Sequence, residues 1–303
     1  MTERELDPSA VVLKPTEIAD AVQFLAEAGP EAVIVSSAGH LMARQARRIW
    51  RPGNLILDVG GLSELRGIRR EGMNLIVGAM VTFAEIAASP LIKRRTRALS
   101  DAASVAGGPQ SRHRHTLGGE IMAGSPGGDG LVALLALDAR VVLLSNEGPR
   151  SVPLYAFYTG YRQPVATNTE LLTSIEIPVL GPHSLTYHRK AAPKGGFGRS
   201  KVSLSGHAQL GPPDDLGRVR LKSLRLGMGA VAPIPTRLFE TERFLLAAPI
   251  TEDRVAGALQ VLASEISPID DFWSTAAYRR LVATNMLREF LQPLTATAGP
   301  QAG

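Results

Sequence analysis

A glycine-rich stretch at residues 116–130 contains the side chains and backbone best suited to binding chemistry. Gly118 and Gly119 are adjacent, so the backbone there can come close to a bulky ligand. Successive backbone N–H groups in such a stretch can bind an anion, while the Ser125 hydroxyl and the Asp129 carboxylate suit the hydroxyl groups of a ribose or ribityl chain. This pattern indicates a dinucleotide site made of backbone, without the lysine of a P-loop. A plain loop is the alternative interpretation, and the pattern alone does not separate the two.

A second candidate site is a turn of small residues that follows a short apolar strand predicted at residues 32–35. A helix is predicted to begin near Leu41. Phosphate groups bind where a strand leads into a helix start, because unpaired N–H groups and the helix dipole converge there. The spacing does not match a Rossmann fingerprint, so a tight turn without a ligand is again the alternative. The residues of this turn are Ser36, Ser37, Ala38, Gly39, His40 and Leu41.

The residues that iron–sulfur, metal and hydrolase sites require are missing from the sequence. The chain has no cysteine, so any iron–sulfur cluster must lie on another chain. His113 and His115 have no third histidine nearby and no metalloprotease motif, so we predict no metal site. No Gly-x-Ser-x-Gly motif is present, and we predict no catalytic side chain that acts by itself.

The overall composition bears on whether the protein binds nucleic acid, spans a membrane or is secreted. The net charge is +5, but only 5% of residues are aromatic, so stacking platforms for nucleic acid are few and we predict no nucleic-acid partner. No run of 18 apolar residues exists, so we predict no membrane span. The first five residues do not resemble a secretory signal, and we expect a cytoplasmic protein.

The order of predicted elements indicates an α+β protein in several parts. A strand–helix–strand order, with Thr16 as the predicted N-cap of the first helix, predicts a small parallel α/β subdomain at residues 1–59. A second α/β subdomain is expected at 60–180, where Thr82 and Glu85 match a capping box. Three strands followed by helices predict an α+β domain at 181–295, and 296–303 is expected to be a tail.

Several ordered segments of the chain also resemble a known family. Two of them are Thr116-Leu117-Gly118-Gly119 and Ala232-Pro233-Ile234-Pro235. The chain resembles the medium, FAD-binding subunit of the molybdenum hydroxylases, which include carbon monoxide dehydrogenase, xanthine dehydrogenase and aldehyde oxidoreductases. The matching segments are residues 57–59, 62–68, 76–82, 85–91, 116–119, 134–139, 157–161, 170–172, 226–235 and 278–281.

This resemblance implies a fold, a cofactor and partners. The fold would be two FAD-binding α/β subdomains, similar to vanillyl-alcohol oxidase, followed by a domain of antiparallel strands and helices. Residues 36–41 and 116–120 would hold the FAD diphosphate, Ser125 and Asp129 would contact the cofactor, and Lys190 would lie near the isoalloxazine ring. The partners would be a large molybdopterin-binding subunit and a small subunit with 2Fe–2S clusters, assembled as a dimer of heterotrimers. The chain would pass electrons from those clusters to an external acceptor.

Two departures from the family pattern raise alternatives. The usual glycine pair of the first loop is replaced by Ser37 and Ala38, and Glu120 follows Gly118-Gly119 where the family has Asn or Ser. A carboxylate there would repel a diphosphate unless it turned away or met a cation such as Arg112 or Arg114. One alternative function is a flavin-free structural subunit of the same complex. Another is a stand-alone flavin oxidase. The chain lacks a flavinylation motif, and its C-terminal segments match the molybdenum hydroxylase family, so both observations argue against this alternative.

Overall fold

The first sheet of the protein is parallel. The computed structural model describes residues 11–36, 55–179, 181, 184–193 and 198–295. The strands β1 (Val11–Leu13), β2 (Ala32–Val35) and β3 (Leu55–Asp58) form this sheet in the order β1-β3-β2, and helix α1 (Ile18–Ala28) packs beside it. The predicted parallel pairing of strands in this subdomain is confirmed. The predicted N-cap is wrong, because α1 begins at Ile18 and Glu17 occupies the cap position without a side-chain bond. The helix predicted at 41–49 lies outside the described residues.

The second sheet is antiparallel throughout and has five strands. Its strand order is β4-β5-β10-β6-β7, from β4 (Ile68–Glu71), β5 (Asn74–Gly78), β6 (Arg140–Ser145), β7 (Gly148–Pro153) and β10 (Leu171–Pro178). A small hairpin of β8 (Tyr158–Gly160) and β9 (Gln163–Pro164) lies beside it. The helices of this part are α2 (Phe83–Ala88), α3 (Pro90–Arg95), α4 (Arg97–Val105), α5 (Pro109–Arg112), α6 (Leu117–Ala123) and α7 (Asp129–Ala136).

Local sequence signals explain where α2 and α6 begin. The capping box is confirmed: Thr82 Oγ1 accepts from the Glu85 N–H at 3.2 Å, and Glu85 Oε2 accepts from the Thr82 N–H at 2.7 Å. Gly118 and Gly119 lie in the first turn of α6 and not in a loop, because Thr116 caps that helix. The predicted glycine-rich loop is therefore interrupted by a helix.

The third sheet matches the predicted antiparallel arrangement. It contains β11 (Ser184–Ala191), β12 (Val202–Leu210), β13 (Leu221–Gly229) and β14 (Thr236–Arg237) in that order. The helices α8 (Phe239–Leu246), α9 (Glu252–Glu265) and α10 (Ala276–Thr295) follow, and they supply much of the core on this sheet. The predicted tail at 296–303 lies outside the described residues. Among the helices of the described residues, none is long and apolar enough to cross a membrane.

Helix α7 joins the second and third sheets. All eight of its residues are buried, since it packs into the core of the second part and also against β13. The backbones approach closely there: a Cβ on Gly227 would lie 2.3 Å from the Val132 carbonyl oxygen. A buried guanidinium adds a polar link, because Arg237 pairs with Glu242 and lies 3.1 Å from Asp138. These contacts fix the third sheet relative to the helices that carry the candidate site.

Candidate cofactor site

The two predicted binding stretches meet at their first residues. Ser36 follows directly after β2, and its Oγ lies 3.5 Å from Thr116 Oγ1, although 80 residues separate them in the chain. The Thr116 hydroxyl also accepts from the Gly119 N–H at 3.1 Å, which fixes it at the start of α6. Residues 37–41 lie outside the described residues. The structure therefore brings together Ser36, Thr116 and Gly119.

The adjacent glycines have different surroundings. Gly118 is buried, and a Cβ there would lie 2.8 Å from both Cβ and the carbonyl oxygen of Ala79. Gly119 is exposed, and a Cβ there would lie 2.8 Å from Thr116 Oγ1 and 3.8 Å from Ser36 Oγ. Gly118 thus allows α6 to pack closely against Ala79, the residue that follows β5. Gly119 leaves an open backbone surface beside the two hydroxyl groups.

The first-turn N–H groups of α6 all have partners within the chain. Those of residues 117 and 118 donate to the carbonyl oxygens of Val81 and Ala79, at 2.9 Å each. Those of residues 119 and 120 donate to the hydroxyl and carbonyl oxygens of Thr116, at 3.1 and 3.0 Å. The prediction that these N–H groups are free to bind an anion is therefore wrong. This end of α6 presents the half-buried hydroxyl group of Ser36, the open surface of Gly119 and the positive end of a short helix dipole, while Thr116 is buried beneath them.

The Glu120 side chain turns away from the exposed face of α6. Its Oε1 accepts from the Leu131 N–H at 3.0 Å, at the start of α7. Gly128 and Gly130 make room for it, since a Cβ at either position would lie 3.0 or 2.9 Å from that oxygen. Burial raises the pKa of Glu120 to about 7, and the nearby charge of Asp129 adds to the effect. These two glycines therefore accommodate a carboxyl group of the protein itself.

The arginines that the sequence suggests as partners of Glu120 do not fill that role. Arg112 Nη1 donates to the Gly107 carbonyl oxygen at 2.7 Å. Arg114 is exposed, and neither arginine forms an ion pair with Glu120 in the described part of the chain. The expected repulsion between Glu120 and an anion is avoided by the direction of the side chain.

A buried ion pair links the start of α7 to the third sheet. Lys190 Nζ lies 2.6 Å from Asp129 Oδ2, and both side chains are only 6% exposed. Ser200 Oγ donates to Asp129 Oδ1 at 2.5 Å, and Lys190 Nζ also donates to the Val105 carbonyl oxygen at 3.1 Å. Burial raises the pKa of Asp129, while the charge of Lys190 opposes the shift. Lys190 is therefore not a solvated surface lysine.

Ser125 lies at the other end of α6 from Thr116. Gly124 ends the helix with a positive φ of 56°, and Ser125 follows it with a half-buried side chain. The predicted residues are thus divided between two places, with Ser36, Thr116 and Gly119 at one and Asp129 and Lys190 at the other. Sequence reasoning missed Ser200, because its bond to Asp129 spans 71 residues and no local pattern marks it.

Comparison with known proteins agrees with this architecture. Residues 5–180 match the family described as the FAD binding domain in molybdopterin dehydrogenase. Residues 208–294 match the CO dehydrogenase flavoprotein C-terminal domain. The first match alone covers more than half of the chain.

Individual relatives and a solved structure belong to the same group. The carbon monoxide dehydrogenase medium chain of Hydrogenophaga pseudoflava is 27% identical over 91% of this chain and 94% of its own length. The nicotinate dehydrogenase FAD-subunit of Eubacterium barkeri is 32% identical over 70% of this chain and 71% of its own. A solved carbon monoxide dehydrogenase from Hydrogenophaga pseudoflava aligns with a TM-score of 0.87 at 26% identity, covering 96% of this chain and 99% of that chain. The chain therefore belongs to the family of FAD-binding medium subunits of the molybdenum hydroxylases, which are oxidoreductases.

Proposed function

We propose that this chain is the electron-transfer subunit of a multi-subunit molybdenum hydroxylase. In that role it takes electrons from 2Fe–2S clusters on a partner subunit and passes them to an external acceptor. The observation that carries the proposal is the meeting of Ser36, Thr116 and the open surface of Gly119, from two stretches far apart in the chain. FAD supplies the redox chemistry when it is bound, and the protein supplies binding and orientation.

The diphosphate end of FAD would lie against the Ser36–Thr116 pair. One hydroxyl of the pair donates to the other, so one O–H remains for a ligand, and the half-buried Ser36 hydroxyl is more accessible than that of the buried Thr116. The exposed backbone at Gly119 lets a bulky group approach, and the helix dipole of α6 favours negative charge there. The proposed site also includes residues 37–41, with the contribution of Gly118 limited to packing.

The flavin end would lie towards the Asp129–Lys190 pair. Lys190 has three N–H donors, of which two bind Asp129 and the Val105 carbonyl oxygen, so one remains for a ligand. The Asp129 carboxylate likewise has lone pairs beyond those used by Lys190 and Ser200. Ser125 and Asp129 both follow α6 in the chain, and Ser125 adds a half-buried hydroxyl group. These groups would orient the cofactor through hydrogen bonds and a buried charge.

The proposed partners follow from what the chain lacks and from its relatives. Without cysteine it cannot ligate an iron–sulfur cluster, so the clusters must lie on another subunit. The carbon monoxide dehydrogenase relatives are named as medium chains. We infer a complex with a large molybdopterin-binding subunit and a small 2Fe–2S subunit, as a dimer of heterotrimers. Hydroxylation itself would then take place on the large subunit.

The test is the FAD content of the purified complex and its dissociation constant. Gly119→Val adds bulk beside Ser36 and Thr116, so we expect FAD affinity to fall at least about tenfold, equivalent to about 1.4 kcal/mol. This change also disturbs the cap of α6. A matched control is Ser89→Ala, which removes the N-cap of α3 elsewhere, where Ser89 accepts from the Ile92 N–H at 3.3 Å. Ser89→Ala should cost about 1 kcal/mol of stability and leave FAD bound.

Two results would contradict the proposal. Full FAD content in Gly119→Val would show that the diphosphate does not lie at the Ser36–Thr116 pair. A wild-type complex without flavin absorbance would favour the alternative of a flavin-free structural subunit, for which the fully bonded N–H groups of residues 117–120 are the supporting observation.

A further inference from the structure

Three aromatic side chains form an exposed patch at the start of α10. Phe272 is 94% exposed, Trp273 38% and Tyr278 41%, and we call these three residues the aromatic patch. The Phe272 and Trp273 rings meet edge to face, with centroids 5.4 Å apart. Ile269, which is 68% exposed, extends the apolar surface along the preceding loop. Apolar groups clustered in this way on a folded protein mark an interaction surface.

The loop that carries the patch has a fixed conformation. Asp271 Oδ1 accepts from the N–H groups of Trp273 and Ser274 at 2.9 Å each, and from Arg279 Nη2 at 2.7 Å. The Asp271 N–H donates in turn to the Ser274 carbonyl oxygen at 3.0 Å. The Phe272 and Trp273 rings are therefore presented on a turn whose polar groups are bonded, next to Tyr278 in α10, and little conformational entropy is lost when a partner covers them.

The aromatic patch lies next to residues 199–201, which include the serine that bonds the buried Asp129. The Arg199 guanidinium lies 5.5 Å from the Trp273 ring centroid, and Lys201 Nζ lies 5.3 Å from that of Tyr278. Ser200, between these two cations, donates to Asp129. The residue that bonds Asp129, where we place the flavin end of the site, thus lies in the chain between two residues whose cations face rings of the patch.

We propose that the aromatic patch docks the iron–sulfur subunit of the complex. This inference rests on the proposed function, because an electron donor must cover the surface beside the redox-active ring. Tryptophan and tyrosine are among the residues that most often anchor interfaces. Arg199 and Lys201 place positive charge at the edge of the patch, so the matching surface is an apolar socket with carboxylates around it.

The test uses the whole complex, produced with a tag on this chain. Phe272→Asp places a charge at the centre of the patch and should weaken binding of the iron–sulfur subunit at least about tenfold, seen as loss of iron and of the small subunit in size-exclusion fractions. Phe272→Ala should weaken it in the same direction by less. Leu216→Asp is the matched control, since Leu216 is 68% exposed in the turn between β12 and β13, and this variant should keep the small subunit. FAD per chain should be unchanged in all three variants.

Several outcomes would overturn the docking proposal. One is wild-type affinity for the iron–sulfur subunit in Phe272→Asp. Another is selective loss of the molybdopterin subunit, and a third is a change only in self-association of this chain. Flavin absorbance is measured separately from iron, so a wild-type complex that lacks flavin but still loses the small subunit on Phe272→Asp would contradict the proposed function and leave the docking surface supported.

Discussion

Replacing Glu120 with glutamine should flatten the pH dependence of the free energy of unfolding. The Glu120 carboxyl group is held between Gly128, Gly130 and the N–H of Leu131, where burial raises its pKa to about 7 from an ordinary value of 4.5. Glutamine keeps an oxygen that can accept from the Leu131 N–H, but it has no charge to bury. The variant therefore removes the titration and preserves the shape.

The sign of the effect follows from proton binding in the two states. Below about pH 4.5 both the folded and the unfolded chain hold the Glu120 proton. As the pH rises to about 7 the unfolded chain loses this proton first, so the free energy of unfolding falls. The two pKa values differ by about 2.5 and one pKa unit corresponds to about 1.4 kcal/mol, so the full penalty is about 3.5 kcal/mol.

The assay is denaturant unfolding at pH 5 and pH 8. Between these two pH values the free energy of unfolding of the wild type should fall by about 2 to 3 kcal/mol more than that of Glu120→Gln. Glu147→Gln is the control, because Glu147 is an exposed glutamate in the turn between β6 and β7, and this variant should follow the wild type. Equal pH dependence in the wild type and in Glu120→Gln would refute the reasoning.

Two further predictions concern the junction between the second and third sheets. Lys190→Met leaves Asp129 buried without its cation and should lower the free energy of unfolding by about 3–5 kcal/mol, measured by thermal unfolding. Adding Asp129→Asn should recover most of this loss, and no recovery would show that the ion pair is not the cause. Gly227→Ala should cost at least about 1–3 kcal/mol, because its Cβ would lie 2.3 Å from the Val132 carbonyl oxygen, and an unchanged melting temperature would contradict this close packing.

The features that could be predicted from the sequence are those set by neighbouring residues. The Thr82–Glu85 capping box was predictable because both partners lie within one helical turn. The apolar run at residues 32–35 predicted β2 for the same reason, since its signal lies in four consecutive residues. Thr16 was a wrong N-cap because the helix begins one residue later than the local preference for threonine predicts, and Glu17 occupies the cap position without a side-chain bond.

The candidate site depends on contacts between distant residues and was predicted only in part. Gly118 and Gly119 look equivalent in the sequence, yet only Gly118 packs against Ala79, which directly follows β5 and is distant in the chain. Lys190 and Asp129 are 61 residues apart, so their pairing could not be read from either segment. The predicted proximity of the two binding stretches agrees with the contact of Ser36 and Thr116, whereas the roles of individual glycines required the packed structure.

The complete burial of α7 has a consequence for how the chain can be divided. One side of this helix lies in the core of the second part and the other lies on β13, so a fragment ending near residue 180 would expose Leu- and Val-rich surface to water. We therefore expect that the two segments on either side of residue 180 do not unfold independently. Two segments that share a helix in this way are expected to unfold together and to be inherited together, since exchange of either one with a distant relative would have to preserve the fit of Gly227 against Val132.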